Sequence, residues 1–319
     1  MLEILTDYRI IGKPRYFIGH GEDILMQVPE EIRKCVVFIG CKVSTIPEQI
    51  YYGGTAFFVS EKIEDIGFVY LVTAKHNILR ISEQSVDGRV YTRCNLKDGI
   101  AIDMESEITW WVFHPDPSVD VAVLPFIAPP KTIDYRSYDL ISSATPEQRK
   151  KVGIGIGDEV FLPGLFRFHH GTNKNIPVIR VGNIAAMPEE PVQTANGKIE
   201  AYLIESRSIG GLSGSPVFVY LGNWRLIDNE WRQASGFTFT LLGLVHGHWD
   251  TDEADIDVFI QDTNRQRSVN MGMAIVVPVE KILETIKQPM LQKKQRELID
   301  QKYAKTPPTP DIVADTTLD

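Results

Sequence analysis

A serine at position 213 lies in a segment with little side-chain bulk. Residues 205–216 read Glu-Ser-Arg-Ser-Ile-Gly-Gly-Leu-Ser-Gly-Ser-Pro, and a strand-forming Val-Phe-Val-Tyr run follows. Glycine permits positive φ and lets the backbone approach a ligand closely. The segment alone allows two interpretations: a tight turn between strands, or a nucleophilic serine whose neighbouring amides face a reacting carbonyl oxygen. An activated serine also needs a base and an orienting group from elsewhere in the chain.

His76 and Asp120 are the candidates for that base and that orienting group. Histidine is the usual general base, and His76 follows the strand-like run Tyr-Leu-Val-Thr at residues 70–73. Asp120 precedes the apolar run at residues 121–124, and a carboxylate is costly to bury without a partner. The ordinary alternatives are a strand-end cap for His76 and a turn or cap for Asp120, which has Asp116 nearby.

The three segments together resemble the chymotrypsin-like (trypsin-like) serine peptidases. Thr-Ala-Lys-His at 73–76, Asp-Val-Ala-Val-Leu at 120–124 and Gly-Leu-Ser-Gly-Ser-Pro at 211–216 occur in the order His, Asp, Ser. The intervals of 44 residues from His76 to Asp120 and 93 residues from Asp120 to Ser213 are typical of that family. The resemblance covers roughly residues 33–288. The Ser-Gly-Ser-Pro-Val-Phe run is most similar to the bacterial glutamyl-endopeptidase-like branch.

The resemblance implies a role for each site residue. Ser213 would attack the substrate carbonyl, His76 would take its proton, and Asp120 would orient the imidazolium. The backbone amides of Gly211 and Ser213 would form the oxyanion hole. No metal and no cofactor is expected.

The sequence departs from the secreted members of this family at two positions. Leu212 stands where their zymogens have an aspartate that pairs with a new N-terminus, so activation by N-terminal cleavage is not expected. Asn77 stands where they have a half-cystine.

Three residues are candidates for substrate binding. Arg207 falls where the base of the specificity pocket would be, and His246 and His248 lie on or just after the pocket-lining strand. Such groups would favour an acidic or amide side chain at the cleaved residue. The two histidines could instead bind metal, but the sequence identifies no third ligand, so ordinary polar packing is favoured.

Composition restricts the class of protein and its compartment. The 319 residues carry a net charge of −9, which argues against a nucleic-acid binder. No apolar run reaches the roughly 18 residues that cross a membrane, and the N-terminus does not resemble a signal peptide. The cysteines, Cys35, Cys41 and Cys94, are too few for a disulfide framework. We therefore expect a cytoplasmic location.

Short β-branched and aromatic runs predict an all-β fold of two six-stranded antiparallel β-barrels with a C-terminal helix. Helical spacing over residues 279–287 and a charged stretch at 291–305 predict the helical end. The predicted organisation is an N-terminal arm (1–32), a first barrel (33–127), a connection (128–154), a second barrel (155–278), the C-terminal helix (279–305) and a disordered tail (306–319).

Two function classes remain in competition, and a third is disfavoured. The first is a serine endopeptidase acting on proteins or peptides, with a regulatory partner reached through the N-terminal arm or the C-terminal helix. The second is a catalytically silent domain of the same fold that binds proteins. An α/β-hydrolase esterase is disfavoured because it needs Ser-Asp-His order and a helix after the serine.

Overall fold

The β-branched and aromatic runs of the sequence form strands in the structure, a computed structural model. It describes residues 10–11, 27–127, 132–194, 197–206, 211–222, 224–233, 239–252 and 268–304. The predicted tail, 306–319, lies outside these residues, as does most of the predicted arm. The chain is mostly β, as predicted.

The N-terminal half forms a nine-stranded sheet. Seven strands follow one another by hydrogen bonding in the order β6-β5-β2-β3-β4-β8-β7, and β9 pairs in parallel with β1 and β3. The strands are β1 (Ile10–Ile11), β2 (Val36–Thr45), β3 (Glu48–Ile63), β4 (Ile66–Thr73), β5 (Arg89–Asn95), β6 (Ala101–Glu107), β7 (Val112–Phe113), β8 (Ala122–Phe126) and β9 (Ser137–Asp139).

This sheet differs from the predicted first barrel in two ways. Among the described residues it does not close, because no ladder joins its edge strands β6 and β7. With only two residues, β7 offers few backbone groups to a further partner. The sheet also takes β9 from the segment that was predicted to be only a connection.

The C-terminal half confirms the prediction of a six-stranded barrel. The barrel closes in the order β10-β11-β14-β19-β18-β15, with every pair antiparallel. Two hairpins, β12–β13 and β16–β17, stand apart from it. The strands are β10 (Glu159–Gly164), β11 (Val178–Ala186), β12 (Val192–Thr194), β13 (Gly197–Ile199), β14 (Tyr202–Glu205), β15 (Pro216–Tyr220), β16 (Trp224–Ile227), β17 (Glu230–Gln233), β18 (Phe239–Asp252) and β19 (Ser268–Pro278).

Five α-helices connect or cover the sheets in the described part of the chain, and the predicted C-terminal helix is a pair. They are α1 (Glu30–Lys34), α2 (Lys75–Gln84), α3 (Pro146–Val152), α4 (Val279–Ile286) and α5 (Pro289–Ala304). Of the predicted apolar face of α4, Ile282 and Ile286 are buried and Leu283 is partly buried, and Val279 is buried with them. None of the helices in these residues is long and apolar enough to span a bilayer.

One hydrophobic cluster joins the two halves. It contains Phe57 and Tyr138 from the first sheet together with Phe161 and Phe218 from the barrel, and it continues to Ile282 of α4. Shared burial of this kind fixes how the two β units pack against each other. The predicted site segments lie at this junction.

Candidate active site

His76 stands at the start of α2, directly after the strand β4. Ala74, in an extended conformation, lies between the end of the strand and the start of the helix. The side chain of His76 is 24% exposed, so the imidazole is partly shielded but still reachable from solvent.

Asp120 lies just before β8 and is turned toward the start of α2. Its Oδ1 accepts a hydrogen bond from the backbone N–H of His76 at 2.8 Å, and its Oδ2 lies 2.7 Å from His76 Nδ1. An ionised carboxylate can only accept hydrogen bonds, so the Nδ1 atom of His76 carries the proton. The Nε2 atom of His76 is therefore left as an acceptor.

A second histidine shares the same carboxylate oxygen. His246 of β18 places its Nδ1 at 2.5 Å from Asp120 Oδ2, and the two imidazole rings meet edge-on with their centroids 5.6 Å apart. By the same reasoning, Nδ1 of His246 carries a proton. The partner that the sequence predicted for Asp120 is thus a pair of histidines.

The electrostatics of this group favour an anionic Asp120. Burial alone would raise the pKa of its carboxyl, but the hydrogen bonds from His246 and His76, together with the electrostatic attraction of both rings, outweigh burial. The pKa of Asp120 consequently lies well below its usual range. Three donated hydrogen bonds stabilise one negative charge in a buried position.

The loop that carries Ser213 is tied to both halves of the molecule. The carbonyl oxygen of Ser213 accepts hydrogen bonds from the Thr55 amide at 3.0 Å and from Asn77 Nδ2 at 2.9 Å. The Gly214 amide donates to the carbonyl oxygen of Val245, the residue before His246. The loop is therefore hydrogen-bonded to Asn77, the residue after His76, and to Val245, the residue before His246.

Ser213 Oγ and His76 are not hydrogen-bonded to each other in the described part of the chain. Hydrogen bonds between nucleophile and base are often long in structures without substrate and tighten when substrate binds.

Two glycines of this loop have positive φ, 109° at Gly211 and 84° at Gly214. A Cβ on Gly214 would lie 2.2 Å from the carbonyl oxygen of Thr55, so only glycine fits where the loop meets β3. The amides of Gly211 and Ser213 donate to no acceptor within the described residues. Among the described residues, neither amide has a competing acceptor.

Thr55 and Asn77 support this loop, and sequence reasoning missed both roles. The Thr55 hydroxyl donates to the carbonyl oxygen of Gly211 at 2.7 Å and accepts from the Leu165 amide at 2.9 Å. Both side chains are buried. The side-chain amide of Asn77 donates a hydrogen bond to the carbonyl oxygen of Ser213. For Thr55, the signal in the sequence was its position in the Gly-Gly-Thr run before the histidine.

Of the three predicted substrate-binding residues, His246 is the one whose side chain the structure describes. Arg207 lies outside the described residues, and of His248 only the backbone, in β18, is described. His246 is placed against Asp120, and its role in substrate binding stays a prediction. His76, Asp120 and His246 could also hold a metal ion, since one potential ligand atom from each lies within 4.8 Å of the others.

The comparison with solved structures finds fold neighbours. The structure is similar to the crystal structure of the MamO protease domain from Magnetospirillum magneticum, with 13% identity and a TM-score of 0.48 over 81% of this chain and 98% of that chain. No protein-family model and no curated protein matches the sequence. At this level of similarity the neighbour does not indicate what this chain does. It also gives no support to the predicted glutamyl-endopeptidase-like branch.

Proposed function

We propose that this protein is a serine endopeptidase of the trypsin-like type, with His76, Asp120 and Ser213 as its catalytic residues. The observation that supports it best is the double hydrogen bond from His76 to Asp120, through the backbone N–H and through Nδ1. This arrangement leaves Nε2 of His76 unprotonated and on the side of the ring away from the carboxylate. A general base needs that protonation state.

The proposed reaction forms and breaks an acyl-enzyme. Ser213 Oγ bonds to the peptide carbonyl carbon while its proton passes to Nε2 of His76. The carbonyl oxygen becomes an oxyanion that the amides of Gly211 and Ser213 would bind, each commonly worth about 3 kcal/mol of barrier. The C–N bond then breaks as Nε2 returns the proton to the leaving amine. Water, deprotonated by His76, releases the acyl group and restores the serine.

Labelling with a fluorophosphonate probe tests the proposal. The probe should phosphonylate Ser213 and add one label per chain by intact-mass measurement. Ser213→Ala should abolish the label. Ser215→Ala is the matched control, because it removes a hydroxyl two residues away in the same loop and should leave labelling intact.

A catalytically silent protein-binding domain is the second candidate. Such a domain needs no hydrogen bond between Ser213 Oγ and His76, and none joins them among the described residues. Wild-type protein that stays unlabelled under conditions that label a known serine peptidase would support this function over the first.

A further inference from the structure

We propose that His76, Asp120 and His246 form a binding site for a divalent transition-metal ion such as Zn²⁺. Two imidazoles and one carboxylate are ligands that Zn²⁺ takes in proteins. The three side chains come from α2, the segment before β8, and β18, and their potential ligand atoms lie within 4.8 Å of one another. A bound ion would regulate the site to which we assign the proposed function.

The surroundings of the three side chains suit such an ion. Exposed fractions of 24% for His76, 7% for Asp120 and 14% for His246 mean that the site is shielded but still reachable. The backbone N–H of His76 holds Asp120 Oδ1, which fixes the carboxylate and leaves Oδ2 toward both rings. Such outer hydrogen bonds orient the ligands of metal sites.

The present spacing of the ligand atoms is close to that of a metal site. The Nδ1 atoms lie 2.7 Å and 2.5 Å from Asp120 Oδ2, and all three ligand atoms lie within 4.8 Å of one another. Ligands at about 2.0–2.1 Å from a tetrahedral Zn²⁺ are about 3.3 Å apart, so each Nδ1···Oδ2 distance would lengthen by less than about 1 Å. The Nδ1 proton of each histidine moves to its Nε2, and each imidazole binds the metal through Nδ1 in its neutral form.

That change of tautomer has a direct consequence for His76. With the metal on Nδ1 and the proton on Nε2, His76 can donate a hydrogen bond to Ser213 but cannot accept its proton. Metal binding would therefore switch off the general base. This inhibition rests on the proposed peptidase function, whereas the metal binding does not.

Calorimetric titration of the full chain with ZnCl₂ tests the binding, using Ser213→Ala to prevent self-cleavage. We expect one Zn²⁺ per chain. His246→Asn should weaken binding at least tenfold, because its amide can keep the hydrogen bond to Asp120 but supplies no imidazole. His169→Ala, which removes an exposed loop histidine, is the matched control and should bind as Ser213→Ala alone does.

The outcomes separate the two proposals. No binding, or equal affinity in His246→Asn, overturns the metal site. If His246→Asn misfolds, X-ray absorption of the zinc-loaded Ser213→Ala protein decides, because a ligand shell without two imidazoles overturns the site. In wild type, Zn²⁺ should slow fluorophosphonate labelling, and unchanged labelling with zinc bound overturns the regulation. A wild type that never labels overturns the peptidase alone.

Discussion

At the residue scale, Asp120 is the acceptor on which the site depends. One carboxylate receives three hydrogen bonds, two from His76 and one from His246, and both rings share a single oxygen. An amide nitrogen in place of Oδ1 would face the backbone N–H of His76, and one in place of Oδ2 would face both Nδ1–H groups, so either position would set donor against donor. The whole arrangement therefore requires an ionised aspartate rather than any polar residue of this shape.

Asp120→Asn should reduce the proposed peptidase activity by about 10⁴-fold, because the amide favours the wrong tautomer of His76. The measurement is kcat/KM on a peptide substrate, or the labelling rate if no substrate is known. Asp116→Asn is the matched control, since Asp116 accepts hydrogen bonds from Ser118 and lies nearby. Equal losses in both variants would contradict the role given to Asp120.

Thr55→Val should destabilise the protein by about 1–3 kcal/mol, because it leaves a buried carbonyl of Gly211 and a buried amide of Leu165 without their partner. It should also slow labelling of Ser213, because the lost hydrogen bond holds Gly211, whose amide is proposed to bind the oxyanion. Thr55→Ser keeps the hydroxyl and should restore most of both properties. Urea unfolding and labelling rates are the measurements. A Thr55→Ser variant as impaired as Thr55→Val would show that the methyl group matters instead.

At the element scale, apolar strands could be predicted from the sequence and polar ones could not. The runs at 55–59, 69–72 and 159–162 all lie within strands, because their β-branched and aromatic side chains are buried on a pleated surface. Strand β9 is only Ser137–Asp139, and it pairs in parallel with β3, where the side chains of Ser60 and Ser137, 77 residues apart, are hydrogen-bonded. No local pattern in the sequence carries such a contact.

Helix α5 docks on the first sheet through a carboxyl group. Oε1 of Glu61 in β3 accepts hydrogen bonds from Gln295 of α5 and from Tyr70 of β4. Burial raises the pKa of Glu61, and these hydrogen bonds offset the increase only in part. Ionised Glu61 therefore opposes folding, and this cost is absent below the ordinary pKa of a glutamate and develops as pH rises through the raised value.

Glu61→Gln should therefore raise the free energy of unfolding at about pH 7, and the gain should shrink as pH falls toward about 4. The amide keeps an oxygen to accept from Gln295 and Tyr70. Unfolding by urea at several pH values measures the effect. Glu83→Gln, at an exposed position of α2, controls for the lost charge. A gain that does not change with pH would mean that ionisation of Glu61 is not its cause.

At the scale of the whole molecule, the site exists only where the two β units meet. The family resemblance predicted His76, Asp120 and Ser213 as site residues. It could not predict that His246, 126 residues from Asp120 in the sequence, would be hydrogen-bonded to it. It also could not predict the bond from Thr55 to Gly211, which spans 156 residues. Such contacts depend on how the barrel packs against the first sheet, and that packing depends on the aromatic cluster between them.

Phe218→Ala should lower the stability of both halves together, by about 3–5 kcal/mol. Phe218 is fully buried, stacks on Phe161 at 5.3 Å within the barrel and meets Tyr138 of the first sheet at 5.3 Å. Because one ring packs in both units, unfolding should remain a single transition that shifts as a whole, measured by calorimetry and by circular dichroism. Phe168→Ala, at a side chain 86% exposed, is the control and should change little. Two transitions, with only the barrel's shifted, would show that the halves fold independently and that the shared cluster does not hold the site together.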